Sequence, residues 1–199
     1  MVARDEQTKS HLEGEAAKNI GPSIPRKNVL RYSIARQLIW GDVGGKQYGP
    51  HAAVSGGGQD GVSKKAVSVG ARNSYIKADQ AAHRRGGAIM PGWWIVIPEK
   101  LGLHKHSSHL DWGGAPTANS LRIVPYQLAS GHEGSNRNSF YIHGTGGHGS
   151  DGCILIAPAH RSVLVGLVCE HDGAWLQAYW SGTELNEEIE KGELASHTA

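Results

Sequence analysis

Residues 140–156, FYIHGTGGHGSDGCILI, run from β-forming residues through a glycine-rich loop and back into β-formers. That order predicts a strand ending at His143, a nine-residue loop, and a second strand from Ile154. It also sets Cys153, one of two cysteines in the chain, at the start of the second strand. A thiol attacks only as thiolate, so a reactive cysteine needs a base or a positive neighbour. A histidine ending one strand and a cysteine opening the next can be brought side by side, and the imidazole can then take the proton. Glycines at 144, 146, 147, 149 and 152 let the loop fold tightly and turn amide N–H groups near Cys153 toward a developing oxyanion. On spacing alone a second reading stays open, in which Cys153 is a small buried hydrophobe and His143 a satisfied polar residue.

Outward from this stretch the chain reads as β structure with turns. Residues 29–40, VLRYSIARQLIW, suit a strand or hairpin, and residues 88–98, AIMPGWWIVIP, suit a buried strand opened by a Pro-Gly turn. The segments GDVGGKQYG and SGGGQDGVSKK between them are read as loop because of their glycine. Residues 120–127 and 139–143 are two further strands, the second carrying His143 at its end. Pro158 opens a predicted helix over 158–168, with Val163, Leu164, Leu167 and Val168 on one face. Residues 174–180 close the chain's β structure. A short helix is expected over 8–19 and a short acidic one over 183–194. The expected organisation is a polar tail over 1–27, one catalytic domain over 28–182 and a tail over 183–199.

Bulk properties narrow the partners. At 199 residues the chain suits one domain with a sizeable core. Glycine at 28 of 199 favours turn-rich β structure. Twenty basic and 18 acidic side chains leave a formal charge of +2, so no field argues for nucleic acid or an anionic membrane, and the partner belongs to a site. No apolar run approaches the ~20 residues of a membrane span, and the first residues lack the apolar core of a signal peptide. Cys153 and Cys169 make no disulfide framework, although a bridge between them would consume the thiol.

His143-Gly144 followed by Ser150-Asp151-Gly152-Cys153-Ile154 resembles the signature of the L,D-transpeptidase (YkuD-like) family. The step from His to Cys, and the absence of the usual histidine before Gly-Cys, resemble its type VI secretion effector branch of peptidoglycan L,D-transpeptidase/carboxypeptidase toxins. In that branch the catalytic stretch follows aromatic-x-His-Gly, as in 140–144, and residues 90–96, MPGWWIV, resemble the family's Pro-x-Gly-x-Tyr-x-Ile strand. The likeness covers about residues 30–180. It implies a mainly β fold with a few short helices, an L,D-transpeptidase-like β-sandwich or barrel with the catalytic loop between two strands.

The resemblance also implies a reaction. Cys153 is the expected nucleophile on a peptidoglycan stem tetrapeptide, with His143 as base and then acid, Ser150 as positioner, and Gly152, Asp151 and Gly144 in the oxyanion loop. Attack on the meso-diaminopimelate carbonyl expels D-alanine, and water, a D-amino acid or another stem then resolves the acyl-enzyme. The implied partners are stem tetrapeptides, D-amino acids, the type VI secretion machinery and a neutralising immunity protein, with no nucleic acid. The implied place of action is the periplasm of a target bacterium, after synthesis in the cytoplasm. No cofactor and no metal are called for. Asp151 stands where conventional members carry a second histidine, so Asp151, Ser150 or a backbone carbonyl is left to orient His143. His148 competes with it as base.

Other signals carry less. His104, His106, His109 and Asp111 have metal-ligand chemistry but match no zinc spacing, and the loop reads instead as a flank of the substrate cleft, with His109 in it. His148, Trp93 and Trp94 complete the candidate cleft, and the tryptophans equally suit the core. Two further functions stand beside the first: another cysteine amidase or endopeptidase of the cell wall, and a non-catalytic wall-binding module.

Overall fold

A computed structural model of the chain describes residues 23–56, 88–98, 120–129, 140–144, 150 and 152–179. The predicted helices over 8–19 and 183–194 lie outside them. β1 (Val29–Ser33) and β2 (Leu38–Val43) form the hairpin that the alternation of Leu30 and Tyr32 with polar residues predicts. β3 (Lys46–Ser55) follows β2 directly, with Val43 opposite Lys46 across a two-residue turn. Gly44 and Gly45 supply that turn with φ of 65° and 80°, the left-handed pair that a tight antiparallel hairpin requires.

This corrects the expectation of a loop over 41–49 and of another opening at Ser55. Glycine enters these strands for a steric reason: a Cβ on Gly41 would stand 2.1 Å from the Val29 carbonyl oxygen, and one on Gly49 2.4 Å from that of Ile39. The glycines are where neighbouring backbones come too close for a side chain.

β4 (Gly92–Pro98), β5 (Leu121–Leu128), β6 (Phe140–His143) and β7 (Ile154–Ile156) come next, then α1 (Pro158–Glu170) and β8 (Ala174–Tyr179). The strands close into a barrel in the order β1-β2-β3-β7-β6-β5-β4-β8. All pairings are antiparallel except β1 with β8 and β6 with β7. The fold is thus mainly β, and α1 is the single helix among the described residues.

Leu30, Tyr32, Trp94, Val96, Leu121, Ile123, Phe140, Ile142, Ile154 and Ile156 alternate along their strands into one core. α1 packs against β3 and β4, strands that are not neighbours in the barrel, and adds Leu164, Leu167 and Val168 to the same core. Val163, expected on that face, is instead 57% exposed, because it lies one position round the helix from Leu164. Cys169, near the end of α1, is exposed, and neither cysteine is in a disulfide.

A second cluster forms on the opposite face of the strands, where Ile95 and Val124 pack with Ile24, 4% exposed. The Trp175 indole also donates to the Ile24 carbonyl at 3.3 Å. The last residues of the predicted tail therefore belong to the fold.

Candidate functional site

The parallel pair β6–β7 sets the geometry. Ile142 registers with Ile154 and His143 with Leu155. Ile142, Ile154 and Ile156 point into the core, so His143 and Leu155 face away from it. Carrying the register back one residue sets Cys153 level with Tyr141, on the same face as His143. His143 and Cys153 are therefore diagonal neighbours, one strand apart and two residues offset, roughly 8 Å between Cα atoms.

Both are buried, with 7% of His143 and 9% of Cys153 exposed. In such a setting a proton transfer or a developing charge feels its neighbours more strongly than in water.

The imidazole is held by the backbone. Its Nδ1 lies 2.9 Å from the carbonyl oxygen of Gly144. A carbonyl only accepts, so Nδ1 carries the hydrogen and donates it, which leaves Nε2 with the lone pair. A backbone carbonyl, one of the three groups expected to orient His143, is thus in contact with it. Asp151 and His148 lie outside the described residues, as do His104, His106, His109 and Asp111.

Two serines hold the chain on either side of the thiol. The Ser150 hydroxyl donates to the Cys153 carbonyl at 2.6 Å and accepts the Gly56 amide at 3.2 Å, while the Ser150 amide donates to the Gly56 carbonyl at 3.1 Å. The Ser55 hydroxyl donates to the Gly152 carbonyl at 2.9 Å and accepts the Ile89 amide at 2.8 Å. Gly152 sits between them at φ 109°, a conformation other residues rarely adopt.

Ser55 was hidden from sequence reading because it opens a glycine-rich run that looks like loop. Arg122 was hidden within an ordinary strand. It registers with Tyr141 and alternates with the core residues Leu121 and Ile123, which turns it to the face that carries Cys153. Alternation along β5 was the signal that could have found it.

The two tryptophans of the expected cleft are not brought to the thiol. Trp94 is wholly buried in the barrel, its indole donating to the Met90 carbonyl at 3.0 Å and its ring edge-on to Phe140 at 4.9 Å. Trp93, on the other face of β4, packs edge-on against Trp175 at 6.3 Å, three strands round the barrel from β7. The same alternation that buries Trp94 takes Trp93 to the outer face of the strand, against Trp175.

Compared with known proteins, the chain matches no protein-family model and no curated protein sequence.

Proposed function

We propose that the protein is a cysteine-dependent peptidoglycan L,D-carboxypeptidase and L,D-transpeptidase with Cys153 as nucleophile. One observation carries the reading. A histidine whose Nδ1–H is anchored to the Gly144 carbonyl shares a face with a cysteine on the adjacent parallel strand, which leaves Nε2 as the nitrogen able to take a proton. The motif formed by His143-Gly144 and Ser150-Asp151-Gly152-Cys153-Ile154 supports the same reading from the sequence and supplies the substrate class. Arg122 suits it too, because its Cα lies two strands from that of Cys153, about 10 Å by strand spacing, and a cation on that face matches an acyl donor that ends in a free carboxylate.

In the proposed reaction the Cys153 thiol gives its proton to Nε2 of His143, and the sulfur adds to the carbonyl of meso-diaminopimelate in a stem tetrapeptide. The oxyanion collapses, the C–N bond to D-alanine breaks, and the leaving amine takes the proton from Nε2. A thioester on Cys153 remains. Water resolves it to a tripeptide stem, and a D-amino acid or the amine of another stem resolves it to exchange or crosslinking. The proposal extends to an antibacterial effector delivered by the type VI secretion machinery, acting in the periplasm and neutralised at home by an immunity protein.

Purified disaccharide-tetrapeptide is the deciding substrate. Conversion to the tripeptide with release of D-alanine, lost in Cys153→Ala and kept in Cys169→Ala, is the expected result. Cleavage between sugar and stem, or within the stem, would make the protein another cell-wall amidase or endopeptidase. Binding to sacculi without turnover in either form would make it a binding module.

A further inference from the structure

Ser55, the last residue of β3, is 3% exposed and uses its hydroxyl twice, accepting the Ile89 amide at 2.8 Å and donating to the Gly152 carbonyl at 2.9 Å. The Gly152 carbonyl and the Cys153 amide belong to one peptide unit. Gly49–Pro50 is the one cis bond among the described residues, so this unit is trans and planar, with its C=O and N–H on opposite sides. Pinning the oxygen therefore fixes the direction of the Cys153 N–H and the placement of the Cα that carries the thiol. Gly152 itself restrains the unit little, since a residue without Cβ lets the peptide plane turn between conformations. The following carbonyl, that of Cys153, is pinned separately by the Ser150 hydroxyl at 2.6 Å. The two peptide units flanking the nucleophile are thus held by two serines from different parts of the chain, and one of them, Ser55, comes from a strand 97 residues away.

We propose that Ser55 is a positioning residue for Cys153, its hydroxyl aiming the Cys153 N–H at the oxyanion that forms when the thiol attacks an acyl carbonyl. The inference rests on the reading of Cys153 as a nucleophile, and it holds for any acyl donor.

Two reactions of the same sulfur separate aim from general integrity. Alkylation by iodoacetamide forms an S–C bond and expels iodide without an oxyanion. Acylation by p-nitrophenyl acetate adds the sulfur to the ester carbonyl, passes through an oxyanion, and expels p-nitrophenolate with the electrons of the broken C–O bond, the thiol proton going to His143. Both are measured in a Cys169→Ala background, where Cys153 is the sole thiol.

Ser55→Ala should slow acylation by about 10²-fold, the cost of one oxyanion donor, while the alkylation rate and its pH profile stay where they were. Ser55→Thr, which keeps the hydroxyl, should restore acylation. Equal slowing of both reactions, or no slowing of acylation, overturns the proposal.

Should Ser55→Ala fail to fold, the Cys153 amide proton decides in the Ser55-intact protein. It should move downfield when acetaldehyde adds to the thiol as a thiohemiacetal, and an unmoved amide overturns the assignment. A Cys153 that reacts with iodoacetamide no faster than Cys169 does in Cys153→Ala overturns the nucleophile itself, a result distinct from any behaviour of the Ser55 variants.

Discussion

His143 donates its Nδ1–H to the carbonyl oxygen of Gly144, the residue that follows it, across 2.9 Å. The ring is thereby tied to its own chain turning back. Its tautomer is set before any substrate arrives, and Nε2 is left as the basic nitrogen on the face shared with Cys153.

If that nitrogen takes the thiol proton, His143→Ala should lower turnover of the tetrapeptide by about 10²- to 10⁴-fold. Alkylation of Cys153 at neutral pH should slow with it, because fewer thiolates form. Steady-state kinetics and iodoacetamide labelling of the folded variant check both. Alkylation that is unchanged would move the base elsewhere in the loop, with His148 the first alternative.

Trp94 and Trp93 should separate cleanly in stability. Trp94 fills the barrel beside Phe140 and is wholly buried, so Trp94→Ala should cost roughly 3–5 kcal/mol. Trp93 is half-buried against Trp175, and Trp93→Ala should cost clearly less, since part of its ring already meets water. Denaturant unfolding of the two variants measures the difference. Equal losses would mean that the strand's two faces are equally committed to the core.

The contrast between these neighbours shows what was legible in the sequence. Strand positions for β1, the first half of β2, β4, β5, β6, β7 and β8 follow from local alternation and turn residues, and so does the placing of His143 at a strand end and Cys153 before the next strand. β3 does not, because glycine around its start suggests freedom in the sequence, whereas Gly49 marks close approach. Whether a glycine in 41–49 is there for flexibility or for lack of a Cβ depends on the neighbouring strand, which only the closed barrel supplies. Ser55 and Arg122 failed for a related reason: each reaches the site through strand pairing, Ser55 opposite Ile154 and Arg122 opposite Tyr141, and pairing between distant segments leaves no local pattern. The partner of His143 cannot be picked out from sequence, because a backbone carbonyl has no sequence signature.

His51 on β3 and His160 in the first turn of α1 stack face to face, with ring centroids 3.7 Å apart, and Tyr48 lies edge-on to His51 at 4.8 Å. Burial first, and then the charge of His160, hold the His51 imidazole below its ordinary value. A base whose pKa falls on folding binds fewer protons in the native state than in the unfolded one. Its contribution is therefore whole above the unfolded value, near 6.5, and is lost as pH falls from there through the folded value. The melting temperature should drop between pH 7 and pH 5, and the drop should be smaller in His160→Asn, where one of the two like charges is gone. An identical pH dependence in both proteins would show that the stacked pair contributes nothing to it.

The last prediction concerns where the chemistry matters to a cell. The proposed substrate lies outside the cytoplasmic membrane of a Gram-negative bacterium, so catalysis can harm such a cell only from that side. Expression in the cytoplasm should be tolerated, whereas fusion to an export signal should cause swelling and lysis that disappear with Cys153→Ala and persist with Cys169→Ala. Walls from the affected cells should be depleted of tetrapeptide stems and enriched in tripeptides, since each turnover removes one terminal D-alanine and with it the donor for crosslinks made from tetrapeptides. Muropeptide analysis before lysis reads this directly. Toxicity of equal strength in both compartments, or lysis that survives Cys153→Ala, would separate the harm from the thiol and point to a cytoplasmic target or to binding alone.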